Sequence, residues 1–359
     1  MMRCNLAEEI ASMKTPIYSL SLAAQAILDM HSLNNEGAEG NQIQPRLMTI
    51  VDHTGQMHTV NGISGDMLKH IQTEHFFRIA QERQLALCAG CQQFDANRIN
   101  ADASYLKLIE DKKMTDADAI DEMLRRCAMD DIAGILVTAK GRSLPRKSVI
   151  EFGWVLGLPD TADATNQRFF HVKYARSRST VEREKDSITR VQRNRTRDEV
   201  TRGANLQQAI FHRPTNSSIY AIVCNVEVAR VGFNDLRQQY ALDKDERSRR
   251  VRVLLESLLY TFIQLNGAMR STQLPHLVSL DGIISYSTRV LPAPLISPLQ
   301  PDYKIHIQHL AKTLTAAMPS SNEAQEGIVA HPFETITEFA ETIASLLDFP
   351  PYTFQYAER

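Results

Sequence analysis

Cys88-Ala89-Gly90-Cys91 is a C-x-x-C pair, the spacing that places two thiolates on one metal ion or in one redox disulfide. A structural zinc site needs four ligands, and no second C-x-x-C occurs. His70 and His75 lie upstream at a spacing untypical of a His pair. No βαβ pattern follows that would suit a thioredoxin-like role. The expectation is no metal and no cofactor, with binding of an ion by Cys88 and Cys91 left open. Asp29, Asp66, Asp130 and Asp131 are candidate carboxylates, but single acids at turns are mostly caps or solvated groups. His31, His53 and His171 lack the partner spacing of a triad. No G-x-S-x-G, H-E-x-x-H, Walker A or G-x-G-x-x-G stretch occurs. The expectation is a protein that is not an enzyme.

Basic residues are the stronger chemical signal. Arg193, Arg195 and Arg197 alternate in VQRNRTRDEVTRG, with Arg202 close behind. Residues at i, i+2 and i+4 share one face of an extended chain, so these make a row of guanidinium groups. Such a row can track a phosphate backbone through Arg's planar fork of donors. A second cluster, Arg142, Arg146 and Lys147, sits in the loop GRSLPRK. Arg247, Arg249 and Arg250 open a long helix as a third. Taken singly, each is as well explained by a solvated surface. Together, in a chain of net charge −2, they suggest one face with a ligand to bind.

The elements that must position these residues are mixed. IYSLSL alternates like a strand, while LAAQAIL suits a helix, so residues 17–30 stay ambiguous. HSLNNEGAEGN reads as a loop. RLMTIVDHTGQMHTV reads as a hairpin turning at His53-Thr54-Gly55. NGISGDMLKH carries a tight turn and a helix start, with Ser64 or Asp66 as cap. DADAIDEMLRRCAMDD is a short helix. Apolar runs flank the GRSLPRK loop. Residues 173–202 carry ten Lys/Arg against five Asp/Glu, too polar to bury a core. SSIYAIVCNVEVARVGF is the strongest strand. RSRRVRVLLESLLYTFIQLNG is the strongest helix, with Val251, Leu254, Leu255, Leu258, Leu259 and Phe262 inward and Gly267 as C-cap. A strand at HLVSLDGIISYSTRVL, a Pro-punctuated stretch at 291–301 and an amphipathic helix at TITEFAETIASLLDF complete the pattern. Strands and helices without regular alternation suit an α+β fold.

Composition agrees with a globular chain: 359 residues, 43% apolar and 23% charged. Five irregularly spaced cysteines argue against a disulfide framework. No signal-peptide core and no membrane-length apolar run is present, so a cytoplasmic location and no membrane partner are expected.

Four segments in order resemble a known family. They are IYSLSLAAQAILDMHSLNNEGAEGN; the "ISG" turn in NGISGDMLKH; DIAGILVTAKGRSLPRKSVIEFGWVLGLP; and IYAIVCNVEVARVGF with the following helix and LVSLDGIISY. The order is similar to that of the CRISPR-associated RAMP superfamily, in the Cas7-type, DevR-like branch that forms the backbone of type I Cascade. The resemblance implies an α+β fold: a modified RRM-like (ferredoxin-like) palm within a single domain over 1–359. It implies an inserted helical or finger subdomain over 66–135, where the C-x-x-C falls without a counterpart, and a thumb-like insertion over 173–218. It implies that copies stack along a guide CRISPR RNA and support target-DNA recognition. The implied partners are guide RNA, target DNA, further copies of the chain, and large, small and end-capping Cascade subunits. Transposon-associated systems would add transposition proteins. By position, Asn61, Ser64, Lys69 and the weaker His70 beside the ISG turn, the loop residues Arg142, Arg146, Lys147 and Ser148, and Arg270 and Ser271 after the long helix would contact RNA. Arg193, Arg195, Arg197, Gln207, Gln208 and His212 would belong to the thumb. Two alternatives remain open. One is a type III-like ribonuclease using Asp29. The other is an RNA-binding or interaction protein outside CRISPR systems.

Overall fold

The structure is a computed structural model that describes residues 15–33, 35–39, 42–111, 113–159, 215–265, 274–317 and 327–358. Arg193, Arg195, Arg197, Gln207, Gln208 and His212 lie outside these residues, as do Arg270, Ser271 and Gly267.

The longest strand is β1 (Ser19–His31). It resolves the ambiguity of the Ala-rich stretch in favour of strand. Its even positions Leu20, Leu22, Ala24, Ala26 and Leu28 join the main core. The small side chains admit close neighbours: a Cβ on Gly282 would lie 2.4 Å from the Ala23 carbonyl oxygen. Tertiary packing here overrides alanine's helix preference.

The HSLNNEGAEGN stretch is not wholly a loop. It holds a small hairpin, β2 (Asn35–Glu39) with β3 (Gln42–Pro45). The expected hairpin follows as β4 (Leu47–Val51) and β5 (Met57–Ile63), with Gly55 at φ +88° in its turn. Five helices then run in sequence: α1 (Gly65–Glu82), α2 (Ala89–Gln92), α3 (Ala103–Ile109), α4 (Asp116–Arg126) and α5 (Ala128–Ala133). Ser64 caps α1 by accepting from the Met67 N–H, as the sequence suggests.

The GRSLPRK segment is also no loop. β6 (Ile135–Ala139) and β7 (Arg142–Arg146) form a tight hairpin that places Arg142 opposite Ala139 and Arg146 opposite Ile135. Short strands β8 (Ile150–Phe152) and β9 (Val155–Gly157) come next, then the expected strand β10 (Asn216–Val226). A two-residue ladder joins β11 (Phe233–Asn234) to β12 (Gln239–Tyr240). The long helix is α6 (Lys244–Ile263), followed by β13 (His276–Ser287), α7 (Tyr303–Ala317), β14 (Ile328–Phe333) and α8 (Ile336–Leu346).

The main sheet runs β14-β13-β1-β10-β9-β5-β4, with β8 also paired to β10, and its pairings are antiparallel. One face packs on α1, α6 and α8. Gln72 of α1 donates to Ser257 of α6 at 2.7 Å inside this interface, and Phe262 meets Phe339 of α8 edge to face. The opposite face is partly polar and is covered by the Pro-punctuated chain. Ser21 donates to the Ala293 carbonyl, Ser285 to Pro294 and Gln25 to Pro298. Beside it α7 adds a second small core of Ala23, Ile283, Tyr303 and Ile307. This is an α+β architecture: an antiparallel sheet with helices packed on it.

Candidate nucleic-acid interface

The ISG turn is built by close approach of backbones. A Cβ on Gly65 would stand 2.2 Å from the Phe152 carbonyl oxygen and 3.0 Å from that of Gly153. Only glycine lets the start of α1 lie against the segment Phe152-Gly153-Trp154. That packing sets the strand break that carries Trp154 against the start of the helix that carries Lys69 and His70. Trp154, the only tryptophan of the chain, is 42% exposed. The guanidinium of Arg46 lies over its ring at 5.0 Å. One turn into α1 follow the half-buried Lys69 and the exposed His70.

Lys69 and His70 line an open cavity of about 500 Å³ with Asp66, Phe94, Asp95 and Arg98. The ring of His70 sits 5.9 Å from that of Phe94, which packs on Phe77 at 4.9 Å. Arg98 is held by a bond to the Gly134 carbonyl. Cations interleaved with accessible aromatic rings suit a ligand with alternating phosphates and bases. Arg46, Trp154, Phe94 and Arg98 escaped sequence reasoning. The signal available was a lone tryptophan in a glycine-flanked strand break, within FGW.

Most other sequence-expected contacts lie inside the protein. Asn61 is buried and bonds the Tyr220 hydroxyl, which in turn pairs with His31 Nε2 at 2.6 Å. Burial pushes His31 down to about 4, so it stays neutral at pH 7. The Ser148 hydroxyl is buried 2.6 Å from the Ile150 carbonyl oxygen. Arg142 bonds the carbonyls of Ile109, Asp111 and Met114 and pairs with Asp116 at 2.6 Å. Lys147 does reach solvent, 3.5 Å from Glu227.

Arg146 requires a correction. Its Nε bonds the Asp131 carbonyl, Nη1 reaches Phe233 O and Asp235, and Nη2 reaches Asp131 Oδ1 at 2.7 Å and Arg230 O. All its donors are engaged, so none remains for a phosphate. The third basic cluster is corrected likewise. Arg250 is fully buried against Asp131 Oδ2 at 3.0 Å and Glu246 at 2.9 Å. Arg247 is buried over the Tyr240 ring, bonded to the carbonyls of Val231 and Tyr352. Only Arg249 of that cluster is exposed, and it pairs with Glu246. The reason is Asp131, a buried carboxylate that both Arg146 and Arg250 neutralise, with the Gly232 N–H as a further donor. Asp131 is thus neither a cap nor solvated.

Asp130 is equally buried, and it lies among three thiols. Hydrogen bonds from Cys127 and Cys91 push Cys88 down to about 5. Bonds to Cys127 and Cys88, with burial, push Cys91 up. Burial and the neighbouring thiol of Cys127 push Asp130 up. Asp29 lies apart, half-buried on β1 opposite His276.

A family model described as CRISPR-associated negative auto-regulator DevR/Csa2 matches residues 22–306. The chain belongs to the DevR/Csa2 family. No curated protein matches it. Among solved structures, a CRISPR RNA-guided surveillance complex in a pre-nicking state aligns at 10% identity. It covers 92% of this chain and 99% of that one, with a TM-score of 0.39. Thermofilum pendens Csc2 aligns at 11% identity over 92% and 85% of the two chains, TM-score 0.37. A type IV-B CRISPR complex aligns at 10% over 77% and 93%, TM-score 0.35. In this DevR/Csa2 member no described helix is long and apolar enough to cross a membrane.

Proposed function

We propose that this DevR/Csa2 protein is a guide-RNA-binding backbone subunit of a type I CRISPR effector. Copies polymerise along the CRISPR RNA and support RNA-guided recognition of target DNA. The family match over residues 22–306 carries the reading, and the surface at the ISG turn supports it. Lys69 bonds no acid among the described residues and lines the cavity that holds Phe94 and Arg98, while the exposed Trp154 lies under Arg46 in the strand break against which Gly65 at the start of α1 packs. In this reading the ammonium and guanidinium groups neutralise phosphates while the ring stacks on a base, so binding is insensitive to sequence. The antiparallel sheet would serve as an RRM-like palm, and residues 173–218 as the thumb.

The chain acts without catalysis in this proposal. Large, small and end-capping subunits would complete the complex, with transposition proteins in transposon-associated systems.

The test is fluorescence anisotropy with single-stranded RNA across a salt series. Lys69→Glu is expected to weaken binding for every RNA sequence. Removing one phosphate contact lowers the slope of log affinity against log salt by about 0.7. An unchanged slope and affinity in Lys69→Glu and Trp154→Ala together would remove the ISG surface from the reading.

A further inference from the structure

We propose that Cys88, Cys91, Cys127 and Asp130 form a structural site for one zinc ion. The four residues come from two turns of the same construction. In the first, the Cys91 N–H donates to Cys88 Sγ at 3.4 Å. In the second, the Asp130 N–H donates to Cys127 Sγ, also at 3.4 Å. The sequence thus does hold a second pair, C-A-M-D, in which aspartate takes the place of the last cysteine. A backbone bond from the Ala128 N–H to the Ala86 carbonyl, 2.8 Å, fastens one turn to the other.

The spacing of the donor atoms suits the ion. Zinc–sulfur bonds of about 2.3 Å and zinc–oxygen bonds of about 2.0–2.2 Å at a tetrahedral angle separate S and O by roughly 3.5–3.7 Å and two sulfurs by roughly 3.8 Å. Asp130 Oδ2 lies 3.3 Å from Cys88 Sγ and 3.7 Å from Cys91 Sγ. All four ligand atoms lie within 4.8 Å of one another, and all four residues are buried. Asp130 supplies a second, independent sign. Its side chain is fully buried, and its Oδ1 has no hydrogen-bond partner. A buried carboxyl among thiols is poorly served as a hydrogen-bonded group and well served as a ligand.

Three thiolates select a borderline-soft ion over magnesium or calcium. Binding displaces the protons that the thiols and carboxyl still hold, so affinity rises with pH. The ion would staple the 88–91 turn to α5. That helix carries Met129 into the cavity beside Phe94 and Arg98, and Asp131 into the buried arginine pair. The proposal stands apart from RNA binding, because its readouts are metal content and spectrum.

The experiment measures zinc in the full chain purified under reducing conditions without chelator, then titrates cobalt(II) into zinc-stripped protein. The expected result is one equivalent of zinc. With cobalt, a thiolate-to-metal charge-transfer band and the strong visible bands of a tetrahedral site should appear. Cys91→Ser and Asp130→Asn should lose or distort these bands, Asp130→Cys should keep them, and Cys224→Ser on β10 should leave them unchanged. If the ligand variants fail to fold, the wild type decides. Chelation should lower its melting temperature, and added zinc, not magnesium, should restore it. Wild-type protein that holds no zinc after exposure to it, and shows no charge transfer with cobalt, overturns the proposal.

Discussion

Replacing Asp131 by Asn changes little volume and removes one charge. In the structure that charge faces two guanidinium groups, Arg146 at 2.7 Å and Arg250 at 3.0 Å, whose side chains are 1% and 0% exposed. Breaking a buried pair by removing one partner costs about 3–5 kcal/mol, because the remaining charge stays buried without compensation. Each arginine keeps a second acid, Asp235 for Arg146 and Glu246 for Arg250, both more exposed than Asp131. These residual pairs place the expected loss near the lower end, about 3 kcal/mol. At roughly 2–4 °C per kcal/mol for a sizeable domain, the melting temperature should fall by roughly 6–12 °C. Urea unfolding followed by circular dichroism measures the free energy, and a thermal scan measures the shift. Lys147→Ala, on the next residue after Arg146 but solvent-facing, is the control and should change stability by less than about 0.5 kcal/mol. A loss under about 1 kcal/mol for Asp131→Asn, or equal losses for Arg146→Ala and Lys147→Ala, would refute the assignment of these arginines to the interior.

Gly65→Ala should destabilise by about 1–3 kcal/mol in urea unfolding, since its Cβ meets a backbone carbonyl that cannot swing away. Trp154→Ala should leave the melting temperature nearly unchanged but weaken RNA binding by about 1–3 kcal/mol in anisotropy. Stability should also fall on acidification through His31. Its folded value of about 4 lies below the ordinary 6.5, so the unfolded chain takes up the proton first. The loss begins as pH drops through about 6.5 and is complete near 4. It amounts to about 3 kcal/mol at 1.36 kcal/mol per unit. A His31→Gln variant should show a flatter dependence over that window in urea titrations at successive pH values.

Legibility in the sequence followed from how local the determinants were. The β4–β5 hairpin, the Ser64 cap and the α6 face rest on adjacent residues and were readable. The Ala-rich β1 was not, because its strand state depends on β10 and β13 pairing from some two hundred residues away. The arginines of GRSLPRK and of α6 look alike on paper. Only the fold brings Asp131 between them and turns them inward. α7 was missed because only Tyr303, Ile307 and Ala311 are buried on it, a weak periodic signal. At the interface the ISG turn was legible as a motif. The Arg46–Trp154 pair was not, since it joins residues over a hundred positions apart. The Cys cluster escaped because its second pair ends in Asp rather than Cys.

The central claim is that copies of this chain assemble on a guide RNA. Co-expression with a CRISPR array, purification without nuclease, and sizing of both the particle and its nucleic acid test it most directly. The account predicts a multimer carrying RNA of discrete length, which Lys69→Glu combined with Trp154→Ala depletes. A monomer free of nucleic acid, with no affinity for single-stranded RNA even at low salt, would contradict it.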